Sequence, residues 1–177
     1  MASDRMATQA LLDWWHGKRG ERAMPSRTEL DPIELKAILP NLLLIDVAPA
    51  PSGSGHAFSC RLAGTEIDDR FGLRLTGLSL DQMPLGEARS VIQQQYETAI
   101  AEVRPVFCTH SLMMGDRYVE YDRMVVPLSD AAGQVTALAA ALDFKCAYLL
   151  DNGQPPNCTH PDHCDRIDRC LSRTPLP

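Results

Sequence analysis

The order of the last three regular segments limits the fold most. Residues 106–114, 117–128 and 134–144 read as strands. Gly115-Asp116 separates the first two, and a turn over 129–133 precedes the third. Glycine first in a two-residue loop is the mark of a type II′ hairpin, whose twist suits adjacent antiparallel strands. The last segment is rich in alanine at Ala137, Ala139, Ala140 and Ala141. Alanine is a weak strand former, so helix competes there. Gly133 closes a turn directly after the preceding strand, and this favours a strand.

Upstream, residues 87–103 read as a long helix with an apolar stripe of Val91, Ile92, Ala99 and Ile100, ended by Arg104-Pro105. Residues 41–47 read as a buried strand and 56–65 as the next, joined by a loop of turn residues over 48–55. Phe58, Cys60 and Leu62 alternate with Ser59, Arg61 and Ala63, so one strand face is apolar. Residues 65–84 are broken by Gly72, Gly77 and Pro84 and suit short helical turns. Gly64 permits a backbone turn at the strand end, and Thr65 can cap the turn that follows. Residues 4–17 read as a helix with Met6, Ala10, Leu11 and Trp14 toward one face and Ser3 or Asp4 at its cap. In Asp31-Pro32-Ile33-Glu34, Asp31 suits the cap of a second short helix, with Glu34 reaching back to it. Pro40 limits that helix. An antiparallel sheet with helices across one face buries these elements, an α+β arrangement.

The chain has 177 residues, which fits one domain with extensions. Its hydrophobic share is 45% and its charged share 23%, enough for an ordinary core. A net charge of −6 argues against non-specific nucleic-acid binding, which needs a basic footprint, and against docking on anionic lipid. The N-terminus lacks the pattern of a secretory signal, and no apolar run reaches the length of a membrane span. A cytoplasmic location is therefore expected, where the six cysteines stay reduced. Metal binding or burial is then a better use of them than a disulfide framework.

Trp14 and Trp15, Arg22-Ala23-Met24-Pro25-Ser26-Arg27, Asp31-Pro32, Leu39-Pro40, Cys60-Arg61-Leu62-Ala63-Gly64-Thr65, Leu75-Thr76-Gly77, Arg104-Pro105 and Val126-Pro127-Leu128 follow one another in this order. Over residues 10–145 that order resembles the PAS family of sensory domains, and within it the bacterial branch in which one PAS domain makes up nearly the whole protein. The resemblance implies a five-stranded antiparallel sheet cupping a small pocket against the long helix. It divides the chain into an N-terminal helical extension (1–30), a PAS-like domain (31–145) and a Cys/His-containing tail (146–177). Light-sensing relatives carry a flavin-reactive cysteine among the helices after the second strand. Cys60 lies within the strand, which argues against flavin. Haem-binding relatives commonly ligate iron through a histidine on the long helix. Residues 87–103 hold none, which argues against haem, although His110 on the third strand remains a candidate imidazole ligand.

Strand alternation and the long helix nominate Phe58, Cys60, Leu62, Tyr96, Cys108, His110 and Tyr121 for the pocket: an apolar hollow with a few polar tips, as a small-molecule site requires. The same residues would also make a filled core. Tyr118, Glu120 and Asp122 alternate along one strand face and suit either acid–base work or a solvated outer face. In the tail, Cys158, His160, His163 and Cys164 match zinc's preference for thiolate and imidazole. Adjacent His163 and Cys164 point about 100° apart on a helix, so both reach one ion only if the helix begins after them. Cys146 could substitute for one of them. The bland alternative is a short tail helix near 161–171 with Cys164, Ile167 and Leu171 on one face, and redox sensing by Cys158 and Cys164 is a third use.

Three functions follow. The first is a stand-alone, non-catalytic PAS sensory module that binds a small ligand, a signalling partner protein, or both, and dimerises partly through Trp14 and Trp15. The second is a small cone-fold enzyme of the steroid-isomerase type, which would need Glu120 or Asp122 buried beside Tyr96. The third is an interaction module ordered by zinc in the tail.

Overall fold

The structure is a computed structural model and describes residues 6–114 and 116–149. One five-stranded antiparallel sheet carries the fold, in the order β2-β1-β5-β4-β3. Its strands are β1 (Leu42–Pro49), β2 (His56–Ala63), β3 (Val106–Met114), β4 (Arg117–Ser129) and β5 (Val135–Leu149). The two N-terminal strands thus join the three C-terminal ones in a single sheet. Met114 pairs with Arg117 across the first C-terminal hairpin. The alanine-rich segment is a strand, and Ala137, Ala139, Ala140 and Ala141 are fully buried. Burial on both faces of a central strand outweighs alanine's weak propensity.

Helices α1 (Met6–Arg19), α2 (Thr65–Phe71) and α3 (Ala88–Glu102) complete the fold. α2 and α3 cover the inner face. There Ile67, Phe71, Ile92, Tyr96 and Ala99 pack on Ile45, Phe58, Val125, Leu138 and Leu142. α1 covers the opposite face, where Ala7, Leu11 and Trp15 meet Met124, Val126, Leu128 and Ala137, Ala139 and Ala141 of β5. The sheet is therefore clad on both sides, one more than the sequence suggested. The α1 stripe is Ala7, Thr8, Leu11 and Trp15, and Met6 is exposed. On α3 the buried set is Ile92, Tyr96 and Ala99, and Val91 faces solvent. In α1 the stripe is turned by one position from the expected one, whereas in α3 Ile92 and Ala99 are buried as expected and only Val91 is misplaced.

The start of α1 is held from the sheet. Asp143 accepts from Ala7 N (2.9 Å), Thr8 N (3.0 Å) and Thr8 Oγ1 (2.7 Å), satisfying donors that a helix start leaves open. Ser3 and Asp4, the expected caps, lie outside the described residues. Trp15 is buried and donates its indole N–H to Pro127 O at 2.8 Å. Its indole is thus used within the chain.

The expected helix at 31–38 is a series of turns. Glu34 does not reach back to Asp31. It accepts from Trp14 and Lys18 of α1 instead. The capping box forms earlier, at a 3-10 turn over Arg27–Glu29, with Ser26 and Glu29 as its two members. A second 3-10 turn, Leu39–Asn41, leads into β1. Gly64 has an ordinary φ of −68° as the cap of α2, so its role is not a left-handed turn. A Cβ there would lie 2.2 Å from Pro40 O and 2.3 Å from Leu39 O, so glycine is required by close backbone approach.

Candidate functional site

Between the inner sheet face, α3 and the irregular segment after α2 lies a cavity. Its walls are mainly apolar: Leu43, Ile45, Phe58, Phe71, Leu75, Leu80, Ile92 and Leu142, with Tyr96, Tyr121 and Arg123 adding polar groups. About 30 Å³ is open to the centre of a water molecule, room for one or two waters at about 10–15 Å³ each. The roof is built by the chain after α2 running back along β2. Cys60 N donates to Leu78 O (2.8 Å), Gly77 N to Cys60 O (2.7 Å) and Leu80 N to Phe58 O (2.9 Å). These bonds cover the edge of β2, which would otherwise present open backbone groups, and they bring Leu80, Met83 and Leu85 over the hollow.

Of the seven residues expected at the pocket, Phe58, Cys60, Tyr96 and Tyr121 line it. The Phe58 and Tyr96 rings meet edge to face at 5.1 Å. Cys108 and His110 stand one layer behind, on β3. Leu62 is a correction: it is 45% exposed. The register between β1 and β2 shifts so that Leu44 pairs with Leu62 but Ile45 with Cys60. Arg61 is the extra residue of a bulge, and one extra residue reverses which side chains face the core. Leu62 lines a second, outer groove with Arg27, Leu39, Leu44 and Arg61, of about 290 Å³. Though larger, this groove has its cations occupied, since Arg27 and Arg61 both pair with Asp46, at 3.1 and 3.6 Å.

The residue that sequence reasoning missed is Arg123. It is buried at 2% exposure on the inner face of β4. It donates to Gln95 Oε1 and, at 3.5 Å, to Tyr96 Oη, and its guanidinium sits 5.1 Å from the Tyr96 ring centre. Cys108 also hydrogen-bonds it. Among the described residues no carboxylate is one of its partners, and its Nε has no partner. Burying an ion without a counter-charge costs several kcal/mol, so this is the least settled group in the described core. Alternation from Tyr121, already assigned inward, would have placed Arg123 beside it.

The surrounding groups stay neutral near pH 7. Burial pushes the Cys60 thiol up to about 11. Burial likewise raises Tyr96, Tyr121 and Cys108. Burial, with the Arg123 charge as a second cause, lowers His110 from 6.5 to about 4. His110 Nε2 lies 2.9 Å from Gln95 Oε1. That oxygen also accepts from Arg123, so His110 is the donor, in its Nε2–H form. Its ring stacks on Tyr121 at 5.3 Å.

The acid–base alternative fares differently. Asp122 is buried at 1% exposure, but on the outer face, accepting from Thr109 (2.6 Å) and Lys145 (2.8 Å). Tyr96 is on the other side of the sheet, so the two do not converge. Among the described residues no group of three or more Cys, His, Asp or Glu is placed to hold a metal. The candidate zinc ligands Cys158, His160, His163 and Cys164, and the tail helix, lie outside the described residues. No described helix is long and apolar enough to cross a membrane.

A family model described as PAS domain matches residues 3–142. The chain belongs to the PAS domain family. No curated protein matches it. Among solved structures, it is similar to the Vibrio cholerae VqmA dimer in the absence of target DNA, described in connection with LuxR-type receptors. Identity is 17% and the TM-score 0.50, over 65% of this chain and 50% of that one. A structure of VqmA bound to DPO aligns at 17% identity and TM-score 0.50, over 70% and 59%. The PAS domain of Bordetella pertussis BvgS aligns at 14% and 0.44, over 62% and 81%. The chain spans about half the length of VqmA. The likeness to VqmA shows the fold alone.

Proposed function

We propose that this chain is a non-catalytic sensory module of the cytoplasm that holds a small molecule in its inner cavity and passes the resulting change to a signalling protein, acting as a homodimer. The observation that carries this reading is the roofed apolar hollow with Tyr96, Tyr121 and Arg123 as polar groups at its wall, Arg123 being held by Gln95. Apolar walls with a few placed polar groups are how proteins hold small ligands. Phe58, Cys60 and Tyr121 supply the rest of the contact, and Cys108 and His110 act from behind. The net charge of −6 supports a protein partner over a nucleic acid.

Native mass spectrometry of freshly purified protein tests this reading. The expected result is a dimer carrying a small added mass that is lost on denaturation. The same spectrum reads any zinc held by Cys158, His160, His163 and Cys164, and a Cys158→Ser variant should lose it. Bare monomer in every preparation, or turnover of a substrate, would overturn the reading.

A further inference from the structure

We propose that the inner cavity selects a small carboxylate, with Arg123 as the group that recognises its charge. The inference rests on the cavity being a ligand site and names the ligand's class. Arg123 lines the cavity, is 2% exposed, and leaves Nε without a partner. Its partners Gln95, Tyr96 and Cys108 are all uncharged acceptors. A guanidinium presents donors in a fixed fork that matches a carboxylate, and here only part of the fork is used. Along the same sheet face, Leu142 beside it and Leu43, Ile45 and Phe58 further across offer only apolar surface, which suits a short hydrocarbon or methyl group on the same molecule. Tyr96 and Gln95 fix the guanidinium's position, so little is lost in ordering it when the ligand arrives.

Size sets the upper limit. The hollow as it stands holds one or two waters. Acetate, with four heavy atoms, exceeds that and requires the hollow to widen slightly. Propionate requires Met83, partly buried on the roof segment, to swing aside, which its unbranched side chain allows.

The test compares acetate and propionate with acetamide and propionamide at constant chloride, on the full chain, by NMR titration. The Arg123 Nε–H resonance and the Phe58 and Tyr96 ring signals are followed. Each acid should bind at least about tenfold tighter than its amide, since a hydrogen bond between charged partners is the stronger kind. The acids should shift the Nε–H resonance, and Arg123→Met should abolish the difference between acid and amide. Should that variant not fold, the wild-type Nε–H shift decides alone. Equal affinity for acid and amide, chloride competing as well as acetate, or an unmoved Nε–H would overturn charge selection while leaving the cavity a ligand site. If none of the four probes moves any cavity signal, the ligand reading falls as well.

Discussion

His110 is a base held in its neutral form. Its folded pKa of about 4, against 6.5 for the free side chain, means the unfolded chain takes up the proton first as pH falls. The stability linked to this group is therefore complete above about pH 6.5 and is lost progressively down to about pH 4. Urea unfolding across that window should show a falling midpoint, and His110→Gln should flatten the fall. An imidazole NMR titration should place the His110 midpoint near 4. A midpoint near 6.5 would mean the ring is not buried against Tyr121. Gly64 makes a second residue-scale case. Its missing Cβ would meet two backbone carbonyls, at 2.2 and 2.3 Å, and backbone cannot swing away. Gly64→Ala should cost about 1–3 kcal/mol as forced overpacking, read from urea denaturation. At this scale the apolar lining was legible, because Phe58, Cys60 and Tyr121 follow strand alternation and Tyr96 lies on the helix crossing them. Arg123 was not, because an arginine in a strand reads as surface until the parity of its neighbours is followed. Leu62 was misread because a bulge leaves no mark in composition.

α1 shows how an element can be correctly recognised and wrongly oriented. Its existence follows from helical spacing near Trp14 and Trp15, but which stripe is buried depends on the alanine floor of β5 and on Asp143, 135 residues away from Thr8. No local pattern encodes that contact. The same holds for Glu34, which local spacing assigned to a capping box but which pairs with Lys18 at 2.8 Å. Strand order and hairpins were legible because turn chemistry is local. The face on which each helix lies was not, because it is fixed by long-range burial. Asp143 gives the element-scale prediction. Asp143→Ala removes three hydrogen bonds at the start of α1, two of them satisfying backbone donors. The cost should be about 2 kcal/mol or more, and amide exchange should quicken most in the first turn of α1. Asp143→Asn, which keeps an acceptor, should cost less. Equal exchange across α1 in all three proteins would show that Asp143 does not hold the helix.

At the scale of the whole molecule, the described residues form two cores built on one sheet. On β4 and β5, successive side chains go to opposite faces: Val125 and Leu138 inward, Met124, Val126, Ala137 and Ala139 outward. Neither core can lose these strands without the other losing its floor, so the inner cavity and the α1 layer should melt together. Two probes sit on opposite sides of the sheet. In a Trp14→Phe background, Trp15, on the buried face of α1, reports the outer core through its fluorescence. Tyr121, packed against Phe71 and Phe144, reports the inner one through near-ultraviolet dichroism. Their urea midpoints should coincide in that background. Trp15→Phe should lower the Tyr121 midpoint too, because lost packing and the lost bond to Pro127 destabilise the shared strands. If the Trp15 signal were instead lost at lower urea than the Tyr121 signal, α1 would be a separable layer. The two faces of the sheet would then be coupled only through helix docking, not through the strands they share.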